Sequence, residues 1–202
     1  MGADDLSQSQ LDAREREFLA RLRTGDAEAI VALERRHGDE LRAFCRRMLS
    51  DADAAQDIVQ DVLTTCCRVE PEALPTQSIR GWLYQLARRR CIDALRKRRE
   101  TAPPAARGVR RVQPTYDDAI DPVTTPAGRA LKRDRAARLL AVLDELDDDL
   151  RSVVVMRYFQ NLSREEIAEA VGLTLAGAKA RLSKAMEVLR EKLAGLDSSG
   201  AS

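Results

Sequence analysis

Leu162–Leu193, LSREEIAEAVGLTLAGAKARLSKAMEVLREKL, reads as two helices joined by a tight turn. Ser163 stands at an N-cap position and Glu166 follows three residues later. That is the spacing of a capping box, in which hydroxyl and carboxylate satisfy the N–H groups left over where a helix starts. Ile167, Ala168 and Val171 line one apolar face, and Gly172 supplies the left-handed backbone that a helix end favours. Thr174 is placed to cap a second helix. Along it Leu175, Ala178, Leu182, Ala185, Leu189 and Leu193 recur at spacings of three and four, which predicts one buried stripe. Lys179, Arg181 and Lys184 fall off that stripe. A first helix braced against a second whose free face is basic is the geometry that sets a recognition helix in a major groove. The pattern also fits a plain helical corner with a solvated basic face. Ala176-Gly177-Ala178 leans toward DNA, because glycine inside a helix costs about 1 kcal/mol relative to alanine. Small residues there admit a phosphate or base edge, or equally a closely packed helix.

The rest of the composition narrows the class. Of 202 residues, 33% are charged and only 3% aromatic, which suits small helical modules packed with Leu, Val and Ala better than one large core. The formal net charge of +1 hides local asymmetry: Arg88–Arg99 holds seven basic residues against Asp93, and Asp144–Asp149, DELDDD, is an opposite block. A chain with local basic stripes and a balanced total can bind nucleic acid at chosen points without gripping it everywhere. No apolar run approaches the roughly 18 residues of a membrane span. The N-terminus lacks a signal-peptide core, so the expected location is the cytoplasm. Cys45, Cys66, Cys67 and Cys91 lack paired metal spacing and are expected as reduced thiols in helix cores. No catalytic triad, phosphate loop or metal cluster is visible, so neither an enzyme nor a bound cofactor is expected.

Read in order, residues 1–13 are a polar lead, and helical periodicity begins near Arg14. Asp26 is placed to cap a segment carrying Ala29, Ile30, Leu33, Leu41, Phe44, Cys45 and Met48, with Gly38 as a break point. Ser50–Val69 is amphipathic: Ala54, Ala55, Ile58, Val59, Val62, Leu63 and Cys66 face inward, while Asp53, Asp57, Gln60, Asp61 and Thr64 face outward. That acidic row is a solvated face or a docking surface for a basic helix. After the proline-bearing loop Glu70–Ser78, Ile79–Arg99 is helical, with Trp82, Leu83, Ala87 and Cys91 inward. Arg80, Tyr84, Gln85, Arg88, Arg89, Ile92 and Arg96 are expected outward. A basic helix with an outward tyrosine suits single-stranded DNA, since bases stack while cations hold the backbone. Thr101–Gly128, with five prolines and two glycines, reads as a linker. Leu131–Leu146 and Asp149–Phe159 complete a four-helix unit with the opening stretch. The expected fold is all-α, two small helical modules joined by a flexible linker.

DAAQDIVQDVLTTCCRV followed by IRGWLYQLARRRCIDALRKRR resembles region 2 of the sigma-70 family, and LDELDDDLRSVVVMRYFQNLSREEIAEAVGLTLAGAKARLSKAMEVLREKL resembles its region 4. The two in this order, with a short linker, are similar to extracytoplasmic-function (ECF) sigma factors. The resemblance implies region 2 over 14–100, a linker over 101–130, region 4 over 131–194 and a tail over 195–202. It implies a transcription initiation factor that binds core RNA polymerase through the β′ clamp helices and the β flap, and directs it to promoter DNA. Asp57, Gln60 and Asp61 would meet the clamp. Tyr84, Arg88, Arg89 and Arg96 would hold the melted −10 strand. Thr174, Ala176, Gly177, Lys179, Ala180, Arg181 and Lys184 would read the −35 element. An anti-sigma factor is the implied inhibitor, and the free chain is expected to be monomeric. Arg89 stands where the family usually has Asn, Ala180 where it has Ser, and Met186 where it is commonly basic, departures that bear on promoter sequence. The residues also fit a helix-turn-helix regulator that acts without polymerase, or a partner-sequestering protein; the acidic face of Ser50–Val69 is what a plain regulator has no need of.

Overall fold

A computed structural model describes residues 17–22, 24, 26–70, 73, 75, 78–101 and 138–199, the last five by backbone alone. The described residues are helical throughout, with short turns. Helix α1 spans residues 17–22 and turns at Thr24, whose hydroxyl donates to the Arg21 carbonyl at 2.8 Å. Asp26 then caps α2 (Ala27–Leu49) by accepting from the Glu28 N–H at 2.9 Å. Gly38 does not break this helix, contrary to expectation. The buried stripe Leu33–His37–Leu41 runs straight past it, and one interior glycine costs only about 1 kcal/mol. Ser50 ends α2 in the left-handed conformation, and Asp51 caps α3 (Ala52–Arg68) through the Ala54 N–H at 2.9 Å. Helix α4 runs Ile79–Thr101.

The second module begins with α5 (138–145) and α6 (Asp148–Val154), whose cap Asp147 accepts from the Leu150 N–H at 2.8 Å. The helix expected over Asp149–Phe159 changes pitch at Val155–Phe159, a π-helical turn closed by Gln160 N–H to the Val155 carbonyl at 3.1 Å. The extra residue turns Tyr158 outward and Gln160 inward. Helix α7 (Arg164–Val171) carries the complete capping box, with Glu166 N–H on Ser163 Oγ at 3.1 Å and Ser163 N–H on Glu166 Oε2 at 2.7 Å. Gly172, at φ +66°, ends α7 in the conformation a side chain would disfavour. Helix α8 (Leu175–Ser199) follows, with Gly177 N–H on Thr174 Oγ1 at 3.2 Å. The expected linker lies outside the described residues, apart from Thr101.

Leu19, Leu33, Leu41, Met48, Val59, Val62, Leu83, Ala87 and Cys91 are fully buried around the edge-to-face pair Phe44–Tyr84, whose centroids lie 5.1 Å apart. The second module buries Val142, Leu143, Leu146, Val153, Met156, Leu162, Ile167, Ala178, Ala185 and Leu189. These sets form one continuous apolar cluster because α4 lies between them, packed on α2 and α3 on one side and on α7 on the other. The predicted stripe of α8 holds from Ala178 onward, but Leu175 is 47% exposed. Helical side chains lean toward the N-terminus, so one in the first turn hangs beyond the packed face. Cys45, Cys66 and Cys91 are buried free thiols, and burial pushes Cys66 up to about 12; Cys67, expected in a core, is exposed.

Candidate nucleic-acid and polymerase interfaces

Three faces carry the predicted site residues. On α3, Asp57, Gln60 and Asp61 all lie on the solvent side with Asp53 and Thr64, as helical periodicity required. Asp61 is held by the Arg90 guanidinium, which also donates to Thr65 Oγ1 at 2.7 Å. Asp57 is exposed, with no such clamp among the described residues. The acidic row is therefore open along one edge and pinned along the other.

On α8, Thr174 and Ala176 are exposed, Gly177 is half-buried, and Lys179, Ala180 and Lys184 are exposed, with Arg181 partly covered. A Cβ at Gly177 would meet only ordinary contacts, the nearest at 3.4 Å from Leu173 and Thr174. Internal packing does not demand this glycine, so its cost of about 1 kcal/mol in the helix leaves a smooth outer surface beside the cations. The start of α8 thus offers a capped N-terminus and small residues, with Lys179 and Lys184 exposed farther along on different sides of the helix.

The third face, on α4, departs from expectation. Arg89 and Arg96 are exposed, Arg96 with loose contacts to Asp93 at 3.5 Å and Glu100 at 3.9 Å on its own helix. Tyr84, expected outward for base stacking, is completely buried. Its ring is core to the first module against Phe44, its hydroxyl donates to Gln160 Oε1 at 3.3 Å, and burial pushes its ionisation far above the ordinary phenol range. Arg88, also expected outward, has a side chain only 14% exposed. Its Nε donates to Ser152 Oγ at 3.0 Å, and its other end pairs with Asp149. Desolvation, together with the nearby Arg181 charge, holds the Arg88 guanidinium below its usual range, although Asp149 opposes both. The physical reason for both corrections is the same: α4 is covered on two sides, so a one-sided helical pattern underestimates its buried arc.

What covers α4 is an ionic seam that single-helix patterns could not show. Arg80 Nη2 donates to Glu40 Oε2 at 2.7 Å and to the Gln160 carbonyl at 2.6 Å, and Nη1 donates to Glu166 Oε2 at 3.3 Å. Burial works against the charge on Glu40, yet hydrogen bonds from His37 and Arg80 outweigh it and hold that carboxyl below its ordinary range. Farther along, Arg99 Nη2 donates to Asp148 Oδ2 at 2.6 Å. Arg47 lies over the Phe159 ring at 5.0 Å. Beside the seam runs a groove of about 700 Å³ lined by Arg99, Asp147, Asp148, Asp149, Arg181 and Lys184 among others. The DELDDD block was visible as an acidic run; its destination, between the cations of α4 and α8, was not.

Sigma-70 region 2 matches residues 33–101, and sigma-70 region 4 matches residues 136–189. The chain is similar to the ECF RNA polymerase sigma factor SigW of Bacillus subtilis, with 24% identity over 88% of this chain and 96% of that one. It is similar to SigK of Mycolicibacterium vanbaalenii, with 28% identity over 92% and 90%, and to the RNA polymerase sigma factor CarQ of Myxococcus xanthus, with 29% over 89% and 97%. A solved structure of CnrH in complex with the cytosolic domain of CnrY shares the fold at TM-score 0.61 and 22% identity, covering 90% of this chain and 97% of that one. With both signature regions present, in order, on an all-helical two-module fold, the chain belongs to the sigma-70 family as an ECF sigma factor, a factor of transcription initiation.

Proposed function

We propose that this factor works by joining core RNA polymerase through the acidic face of α3 while α8 reads the −35 duplex and α4 holds the melted −10 strand. The observation that carries the reading is the exposure of Asp57 and Gln60 on the outer side of α3 and of Lys179 and Lys184 on α8. An acidic helix face complements a basic clamp helix and steers its approach. A rigid capped helix with outward cations fits a major groove. On α4, Arg89 and Arg96 are the cations ready for a strand backbone; Arg88 joins them once freed from Asp149. The polymerase supplies the chemistry, and this chain supplies binding energy to the open duplex, which is why it acts as no enzyme itself. Region 2 spans 14–100, the linker 101–130 and region 4 131–194, with region 4 also holding the β flap. An anti-sigma factor is the fitting inhibitor, supported by the solved complexes of CnrH with CnrY and of RpoE with the anti-sigma factor NepR from Bartonella quintana. The working compartment is the cytoplasm.

Run-off transcription with core polymerase on a promoter library tests this reading. Transcripts starting behind a shared motif are expected; sequence-specific duplex binding without any start would replace it with a polymerase-independent regulator. Asp57→Lys is expected to weaken capture of core polymerase with unfolding unchanged, and is cleaner than reversal of Asp61, which would set Lys against Arg90. Equal recovery in a pull-down would remove α3 as the docking face. Lys179→Ala and Arg181→Ala are each expected to cost about 1–3 kcal/mol where the side chain reads a base, or to lower the salt slope by about one where it holds a phosphate. Unchanged dependence on the −35 sequence in both variants would contradict the recognition-helix assignment.

A further inference from the structure

Asp61 sits where the acidic row of α3 meets α4. The Arg90 guanidinium reaches it from α4: Nε donates to Asp61 Oδ2, and Nη2 donates to Thr65 Oγ1 at 2.7 Å. Thr65 in turn donates its hydroxyl proton to the Asp61 carbonyl at 2.9 Å. Carboxylate, hydroxyl and carbonyl are thus held in one ring of bonds around residue 61. The two ends of the ion pair differ: the Arg90 side chain is 25% exposed and that of Asp61 is 60% exposed. The cation is seated against the protein, and the carboxylate stays open to a partner. A guanidinium free to swing away would compete with that partner for Asp61. The burial of Arg90 and its second bond, to Thr65, make it a fixed brace instead.

A carboxylate has about four lone-pair sites. The bond from Arg90 Nε uses one of them, on Oδ2, and leaves Oδ1 for a second cation. This matters when a basic helix settles on the face. Taking a carboxylate out of water is costly unless its remaining acceptor sites are satisfied. A resident guanidinium meets that need before the partner arrives, and its attraction strengthens as water leaves. Its fork also fixes the side chain, so less freedom is lost on binding. We propose that Arg90 is a positioning residue for polymerase capture: it presents Asp61 to the clamp as a ready-formed acceptor with its own counter-ion. The inference rests on the reading of α3 as the docking face. Arg98 supplies a contrast. It too crosses from α4, donating to Asp51 Oδ2 at 2.5 Å and to the Leu49 carbonyl at 3.3 Å. It does so at the capping end of α3 and not beside Asp57, Gln60 or Asp61.

Equilibrium binding of the labelled full chain to core polymerase, without DNA and at one salt concentration, tests this. Arg90→Met keeps an unbranched stem and removes the fork. It is expected to weaken capture about two- to tenfold, the range that ordering one interfacial side chain covers. Asp61→Asn is expected to weaken capture as well. Adding Arg90→Met to Asp61→Asn is expected to cost little more, because the brace then has no charge to present. Arg98→Met removes an α4-to-α3 ion pair elsewhere and is expected to bind as the native chain does. Equal capture by Arg90→Met and the native chain overturns the proposal. Tighter capture overturns it too, and makes Arg90 a competitor. The same loss from Arg98→Met, or a loss from Arg90→Met undiminished beside Asp61→Asn, also overturns it, since either marks a merely structural brace. If Asp57→Lys and Asp61→Asn both bind as the native chain does, α3 is not the docking face, and this inference falls with that reading. If those two weaken capture and Arg90→Met does not, the reading stands and only the role of Arg90 is lost.

Discussion

Tyr84→Ala is expected to lower unfolding free energy by about 3–5 kcal/mol, the cost of emptying a buried aromatic site. The ring is fully enclosed and meets Phe44 edge to face, so both transfer energy and an aromatic contact go with it. Tyr84→Phe should cost about 1 kcal/mol or less, because the hydroxyl gives up one long bond of 3.3 Å to Gln160. Urea unfolding followed by circular dichroism reads both. The alternative is a tyrosine that stacks on a flipped base, which would leave stability untouched and remove about 1–3 kcal/mol of single-strand binding. An Ala variant as stable as the native chain but poor at holding the −10 strand would return Tyr84 to the DNA interface.

Removing the Arg151 charge is the second large effect. Arg151 is 3% exposed, its Nη1 lies 2.6 Å from Asp144 Oδ1, and its Nη2 donates to the Arg47 carbonyl in the other module. Breaking a buried pair from one side typically costs about 3–5 kcal/mol, because the remaining charge has lost its counter-ion in a low-dielectric site. Arg151→Met is therefore expected to destabilise the second module by about that amount. Arg151→Met with Asp144→Leu should recover most of it, since both charges leave the interior together. Thermal unfolding of the two variants beside the native chain decides. A double variant no more stable than the single one would show that this pair is not what the site depends on.

Legibility followed the range of the interaction. The Ser163–Glu166 box, the Gly172 stop, the Asp26 cap and the inward stripe of α3 lie within four residues of their partners, and each formed as its local pattern required. The α3 face was legible for the same reason, and so was most of α8, where Lys179, Ala180 and Lys184 are outside; Gly177 and Arg181 are partly covered beside the α6 carboxylates. Gly38 was overread, because a continuous buried stripe outweighs one glycine. The π-helical turn was missed, since nothing in VMRYF distinguishes an i−5 bond from an i−4 bond. Arg80, Arg99 and Gln160 were not singled out as site residues. Their significance lies in partners 40 to 86 positions away.

The sequence by itself determined most of the helices and their caps, because those depend on periodicity and on hydrogen bonds between near neighbours, and the order of its two motif-bearing stretches carried the family. Only the tertiary structure decided which side of α4 is available. That helix is flanked by α2 and α3 on one side and α7 on the other, and charge pairing across the second contact has no local signature: Arg88 reads the same whether it faces water, a strand phosphate or Asp149.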